Sequence, residues 1–135
     1  MTEVKRCLVC GDEIHPLARL CKRCKKLVNR GDRRRKTDSG ARVAALRRSW
    51  DGEGFRCHYS GVRLVETDHR DPKYLTFDHR TPKREDDVVV ASACLNDMKS
   101  DMTEREFRAV VLQLASRFQG GSFDEQVLKL THWKR

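Results

Sequence analysis

The apolar positions of this 135-residue chain come in short groups rather than long runs, and each group has its own period. Val43, Leu46 and Trp50 recur at helical steps within ARVAALRRSW. A helix is therefore expected from about Gly40 to Trp50, with Thr37, Asp38 and Ser39 as N-cap candidates, Arg42, Arg47 and Arg48 on its other faces, and Trp50 in the core. Asp51-Gly52-Glu53-Gly54 ends it. Phe55 to Leu64 alternates loosely around Ser60-Gly61 and reads as a short hairpin or knuckle-like turn. Tyr74-Leu-Thr-Phe77 and Val88-Val89-Val90 have the aromatic and β-branched composition of strands, and a charged, Pro-containing loop separates them. Asn96 and Lys99 then fall in the opening of a helix. Further on, Thr103-Glu-Arg-Glu106 forms a capping box, and Phe107, Val110, Val111, Leu114 and Phe118 repeat on one face until Gly120-Gly121. Phe123, Val127, Leu128 and Leu130 suggest a short last helix. Both C-terminal helices are expected to supply the core that backs the central strands.

Composition limits how large that core can be. Hydrophobic residues make up 38% and charged residues 36% of the chain, with few aromatics. A domain of this length buries a low fraction of its surface and often leans on a metal. No apolar run reaches membrane-spanning length and the N-terminal residues lack a signal-peptide core, so a cytoplasmic, membrane-free protein with reduced thiols is expected. The formal charge of +9, from 29 Lys and Arg against 20 Asp and Glu, favours an anionic partner, most commonly nucleic acid.

The cysteines are then metal ligands or buried thiols. Cys7-Leu-Val-Cys10 and Cys21-Lys-Arg-Cys24 are two CxxC pairs ten residues apart, the spacing at which two tight turns chelate one tetrahedral Zn²⁺. Four thiolates leave no place for water, so this zinc would be structural. His15, between the pairs, is expected to be a loop residue. From Arg19 to Lys36 the chain carries ten basic residues and one acid, a surface suited to sequence-independent phosphate contact. Part of it should be helical up to about Asn29.

The stretch that carries chemistry is Tyr74 to Lys99. Hydrolysis of a phosphodiester needs a base for water, a cation for the charge that develops, and something to hold the base. His79 suits the base, since imidazole ordinarily titrates near neutrality. Asp78 is a hard ligand for Mg²⁺ or Mn²⁺, and Asn96 offers a neutral carbonyl oxygen. Lys99, one helical turn beyond Asn96, would bring an ammonium to the scissile phosphate. A second pair, Asp68-His69, has Pro72 close behind it and no apolar run beside it, and reads as loop.

Phe77-Asp78-His79-Arg80-Thr-Pro82, followed by the aliphatic run and by Asn96-Asp-Met-Lys99, resembles the HNH endonuclease family. Cys57-His-Tyr-Ser-Gly61 and Lys99-Ser-Asp-Met-Thr-Glu-Arg-Glu-Phe107 also match, so the likeness covers about residues 55–107. It implies an α+β fold: a small ββα-metal core backed by helices, behind an N-terminal zinc-ribbon or knuckle segment. The organisation expected is a four-cysteine, zinc-binding basic segment at 1–36, a bridging helix at 37–54 and a nuclease domain at 55–135. The resemblance further implies that Asp78 and Asn96 ligate the catalytic metal and that His79 is the general base. The chain departs from the family in two places. The knuckle at Cys57 lacks its second cysteine, so Cys57 and Cys94 are expected to be small buried residues. The family's last histidine has no counterpart, Lys99 standing in its region. The function expected is a divalent-metal-dependent endonuclease on double-stranded DNA, a monomer that nicks one strand per site, double-strand cleavage needing two sites or two binding events. The alternative is a non-catalytic zinc-ribbon protein that binds nucleic acid or acts as a regulator.

Overall fold

The computed structural model describes residues 3–30 and 39–133. In chain order these hold α1 (Lys22–Val28), α2 (Ser39–Ser49), β1 (Leu75–His79), β2 (Val88–Ser92), α3 (Ala93–Lys99), α4 (Glu104–Phe118) and α5 (Gln126–Lys129), an α+β arrangement of mixed helix and small sheet. Thr37 and Asp38, Gly31 and the expected boundary at 36–37 lie outside the described residues. No helix among them is long and apolar enough to cross a membrane.

β1 and β2 pair antiparallel, with Phe77 opposite Val90, Asp78 opposite Val89 and His79 opposite Val88. Every residue of β2 is buried, because α2 lies along it and Ala45, Leu46, Val88 and Val90 share one apolar cluster. Ser92 turns the chain from strand to helix: its hydroxyl accepts from the Leu95 N–H at 3.3 Å and caps α3. The same cluster takes in Cys7, Val9, Cys24, Leu27 and Val28, so the N-terminal segment and the strands share a core.

Two turns in the chain are built alike. Cys7 N–H donates to Asp12 O at 2.8 Å, Gly11 N–H donates to Cys7 O at 3.1 Å, and the backbones of Arg6 and Glu13 pair antiparallel. Later in the chain, Cys57 N–H donates to Val62 O at 2.8 Å, Gly61 N–H donates to Cys57 O at 2.8 Å, and the backbones of Arg56 and Arg63 pair antiparallel. Gly11 and Gly61 hold φ of +80° and +73°, a conformation open to glycine at little cost. The knuckle-like turn expected at 55–64 is thus a counterpart of the first CxxC turn, with Ser60 where Cys10 stands.

Four expectations need correcting. Arg42, placed on an outer face of its helix, is buried at 8% exposure. It donates to Val28 O at 2.8 Å and Arg30 O at 2.9 Å, satisfying carbonyls at the end of α1, and lies 4.5 Å over the Phe77 ring. Cys94, expected to be buried, is exposed on α3. Trp50 is half-buried at the edge of the core, its ring tilted 57° to Phe55 and covered by Arg23, rather than enclosed. The largest difference concerns α4, which has its capping box between Thr103 and Glu106 but buries only Phe107. Val111, Leu114 and Phe118 of its apolar face are exposed, Phe118 at 82%. The neighbour that should cover them, α5, is 4 residues long against the 15 of α4.

Candidate functional site

The four sulfurs of Cys7, Cys10, Cys21 and Cys24 lie within 4.8 Å of one another, and Cys10 Sγ is 3.7 Å from Cys21 Sγ. A tetrahedron of Zn–S bonds of about 2.3 Å has sulfur–sulfur edges of roughly 3.8 Å, so the four thiols are able to hold one zinc ion. Burial pushes the Cys7 thiol up, but backbone hydrogen bonds from Cys10, Cys21 and Val9 more than offset it and bring the thiol down to about 6. Burial pushes Cys10 up to about 11, and burial with the neighbouring sulfurs drives Cys24 higher still. His15 stands aside, exposed, its Nδ1 accepting from the Leu17 N–H at 3.1 Å.

A second constellation lies where α3 crosses β1. Side chains alternate along a strand, so Thr76 and Asp78 share one face while Leu75, Phe77 and His79 share the other. α3 covers the first face. Asn96 Nδ2 donates to Thr76 Oγ1 at 3.0 Å and to Phe77 O at 3.4 Å, which leaves its carbonyl oxygen as the atom it has to offer. Lys99 Nζ sits 3.3 Å from Asp78 Oδ1 and donates to His79 O at 2.8 Å. The spacing of Asn96 and Lys99 puts both on the helix side that faces the strand. Asp78 and Lys99 are 5% and 1% exposed, a paired charge within the fold. The structure therefore gathers Asp78, Asn96 and Lys99 on one face. His79 ends the strand on the opposite face, half-buried, tied to the group through its main-chain oxygen.

Two side chains that sequence reasoning left without a role complete this arrangement. The turn at Cys57 presents Tyr59, whose hydroxyl donates to Asp78 Oδ2, and its neighbour His58. Burial pushes the Asp78 carboxyl up, and the Tyr59 and Lys99 hydrogen bonds only partly pull it back. Burial and the Asp78 carboxylate together drive the Tyr59 hydroxyl well above its ordinary range, so it stays a donor. Replacing Tyr59 with Phe is expected to cost about 1–3 kcal/mol, read as a lower urea midpoint with unchanged m-value, because a buried carboxylate oxygen loses its donor. His58 Nε2 lies 2.6 Å from Glu104 Oε1, and Glu104 Oε2 accepts from Arg80 Nε at 2.7 Å. Burial would raise Glu104, but these two partners hold its carboxyl below the usual range. One acid at the start of α4 thus fastens the turn at Cys57 to the residue after His79. The signal for Tyr59 was local, a Cys-His-Tyr turn beside a matching motif; nothing in the sequence pairs His58 with Glu104.

The remaining candidates are not drawn in. Asp68 and His69 are exposed in a loop, where Asp68 Oδ1 accepts from the Arg70 N–H at 3.0 Å. The basic run is in part spent within the fold. Arg23 Nε donates to Glu66 at 2.8 Å, and Arg30 donates to Leu75 O at 3.0 Å and to Glu66 O. Lys22, Lys25 and Lys26 are exposed, and 31–36 lie outside the described residues. Comparison of the chain with protein-family models, with curated proteins and with solved structures finds no match.

Proposed function

We propose that this chain is a divalent-metal-dependent DNA endonuclease of the HNH type, hydrolysing one strand at the Asp78, Asn96 and Lys99 face with His79 as general base. The observation that carries it is the convergence of three oxygen- and ammonium-bearing side chains from β1 and α3, with His79 next in the strand, its main-chain oxygen bonded to Lys99 and its imidazole on the opposite face. Asp78 and the Asn96 carbonyl would hold Mg²⁺ or Mn²⁺, both hard cations that favour oxygen. Two protein oxygens leave most of the shell to water and substrate. When bound, the ion would stabilise negative charge on the phosphate. Lys99 pairs with the Asp78 carboxylate and would add positive charge to the site that receives the phosphate. Its bond to the His79 carbonyl fixes the backbone that carries the base. His79 takes the proton of the attacking water, a role to which a neutral imidazole is suited. The four cysteines would hold a structural zinc, and the exposed lysines of α1 belong to the duplex-facing surface.

The test is nicking of supercoiled plasmid in Mg²⁺ or Mn²⁺. His79→Ala is expected to slow it by about 10²–10⁴-fold, the usual contribution of a general base. Wild type that never relaxes the plasmid, or a variant as fast as wild type, defeats the reading.

A second reading has an observation of its own. A closed Asp78–Lys99 pair with His79 on the far face is also how a structural strap between a strand and a helix looks. On that reading the chain is a zinc-ribbon binder of nucleic acid, and its salt-sensitive binding survives His79→Ala with no divalent ion.

A further inference from the structure

Beyond the residues that would cut, the fold offers a place for the strand being cut. We propose that the cavity between the loop after β1 and the start of α4 is a phosphate subsite, receiving the sugar-phosphate backbone next to the reacting bond. For its substrate this rests on the endonuclease reading.

The cavity has a volume of about 330 Å³ and is lined by Arg80, Thr81, Asp87, Thr103, Glu104, Arg105 and Arg108. That is room for a phosphodiester group with part of its sugars. Three guanidinium groups border it, and the acids nearby are already engaged. Glu104 is divided between His58 at 2.6 Å and Arg80 at 2.7 Å. Asp87 accepts from Thr81 Oγ1 at 3.2 Å and has Arg80 Nη1 at 3.9 Å. Among the described residues no acid pairs with Arg105 or Arg108, and both are exposed. The cavity therefore keeps an excess of positive charge after its internal pairs are formed.

Arg80 gives the subsite its geometry. Held through Nε by Glu104, which is itself held by His58, its planar fork is fixed before a ligand arrives, and half of it (48%) remains exposed. A fork held in one orientation recognises phosphate oxygens better than a mobile ammonium does. Arg105 and Arg108 are one helical turn apart on α4 and stand on one side of it. The N-terminal end of the same 15-residue helix, at Thr103 and Glu104, borders the cavity and adds its partial positive charge. Arg80 directly follows His79, so a backbone phosphate seated here lies within the same stretch of strand as the phosphate offered to the base.

The experiment measures binding apart from cleavage. A short fluorescent DNA duplex is titrated with wild type and with the Arg105→Gln, Arg108→Gln double variant, without added divalent ion, over a salt series. The double variant is expected to bind about tenfold more weakly, with the slope of log affinity against log salt shallower by about 2, close to 0.9 for each phosphate contact removed. Arg47→Gln with Arg117→Gln removes the same charge from α2 and the far end of α4. It is expected to change affinity by less than about twofold, since neither residue lines the cavity. Circular dichroism confirms that the exposed substitutions leave the fold intact. A double variant with the slope and affinity of wild type, or one no weaker than the Arg47, Arg117 control, overturns the subsite; so does wild type that binds no duplex at low salt. The two readings fail separately. Normal nicking with an unchanged slope removes the subsite and leaves the nuclease, whereas a shifted slope without nicking in wild type removes the nuclease and leaves a nucleic-acid contact.

Discussion

Serine in place of Cys24 is expected to empty the four-thiol centre and to unfold the segment around it. Cys24 has no exposure, belongs to the apolar cluster and carries one of the four convergent sulfurs. Its N–H also turns back to Cys21 Sγ, so the first turn of α1 is built on the centre. Apart from the thiols, the segment brings Val9, Leu27 and Val28 to the buried core, too few to order some 28 residues at about 1–2 kcal/mol of backbone entropy each. Structural zinc typically supplies about 10–16 kcal/mol to such a fold. The expected result is close to one zinc per chain in wild type and almost none in the variant, with hydrogen-exchange protection lost over residues 3–30 in the variant or under a strong chelator. Loss of the segment also releases the carbonyls that Arg42 caps and the Arg30 bond to Leu75 O, so protection at the start of β1 should weaken. Retained protection after complete removal of the metal would show that the ion is not what orders the segment.

Methionine at position 99 is the second large effect. Its volume suits the site, but it leaves the Asp78 carboxylate buried with Tyr59 as its one side-chain donor. Breaking a buried pair from one side costs about 3–5 kcal/mol, far more than the pair itself contributes. The deficit should depend on pH in a definite direction. Asp78 already sits above the ordinary carboxyl range in the folded state because burial disfavours its charge, and loss of the ammonium raises it further. A group whose folded pKa is raised favours folding while it is protonated, and that contribution is lost as pH rises through the folded value. The variant should therefore approach wild type in acid and fall behind it as pH rises towards neutrality. Urea titrations of both proteins across that range measure it; a deficit that is small at neutral pH, or one that grows on acidification, would mean that Lys99 does not neutralise Asp78. The Asp78→Asn, Lys99→Met pair should recover much of the loss, since neither charge then remains.

How much of this could be read from residues alone followed the distance over which each feature is encoded. The two CxxC pairs, the capping box at Thr103 and the strand composition of Val88 to Val90 are local patterns, and α1, α4, β2 and the thiol cluster stand where those patterns put them. The Asn96 and Lys99 spacing likewise puts both on the strand-facing side of α3, because helical geometry fixes it. Contacts that depend on tertiary placement were not legible. Tyr59 and Asp78 are 19 residues apart, His58 and Glu104 46 apart, and neither pair has a sequence mark that joins it. Arg42 looked like any solvated arginine until α1 ended against it. Periodicity erred in a more general way at α4, for it shows that a helix has an apolar face and says nothing about whether a partner is long enough to cover it.

The bare face of α4 also sets how this molecule behaves in solution. A net charge of +9 keeps copies apart at low ionic strength, while Val111, Leu114 and Phe118 offer them a sticky surface. Salt screens the repulsion and leaves apolar attraction in place, so added salt pulls in two directions. It loosens any polyanion held on the basic surface and at the same time brings the chains closer to one another. The colloidal optimum for this protein is then expected at modest salt or in the presence of a soluble polyanion, and a wash in concentrated salt is the step at which clumping is most to be expected.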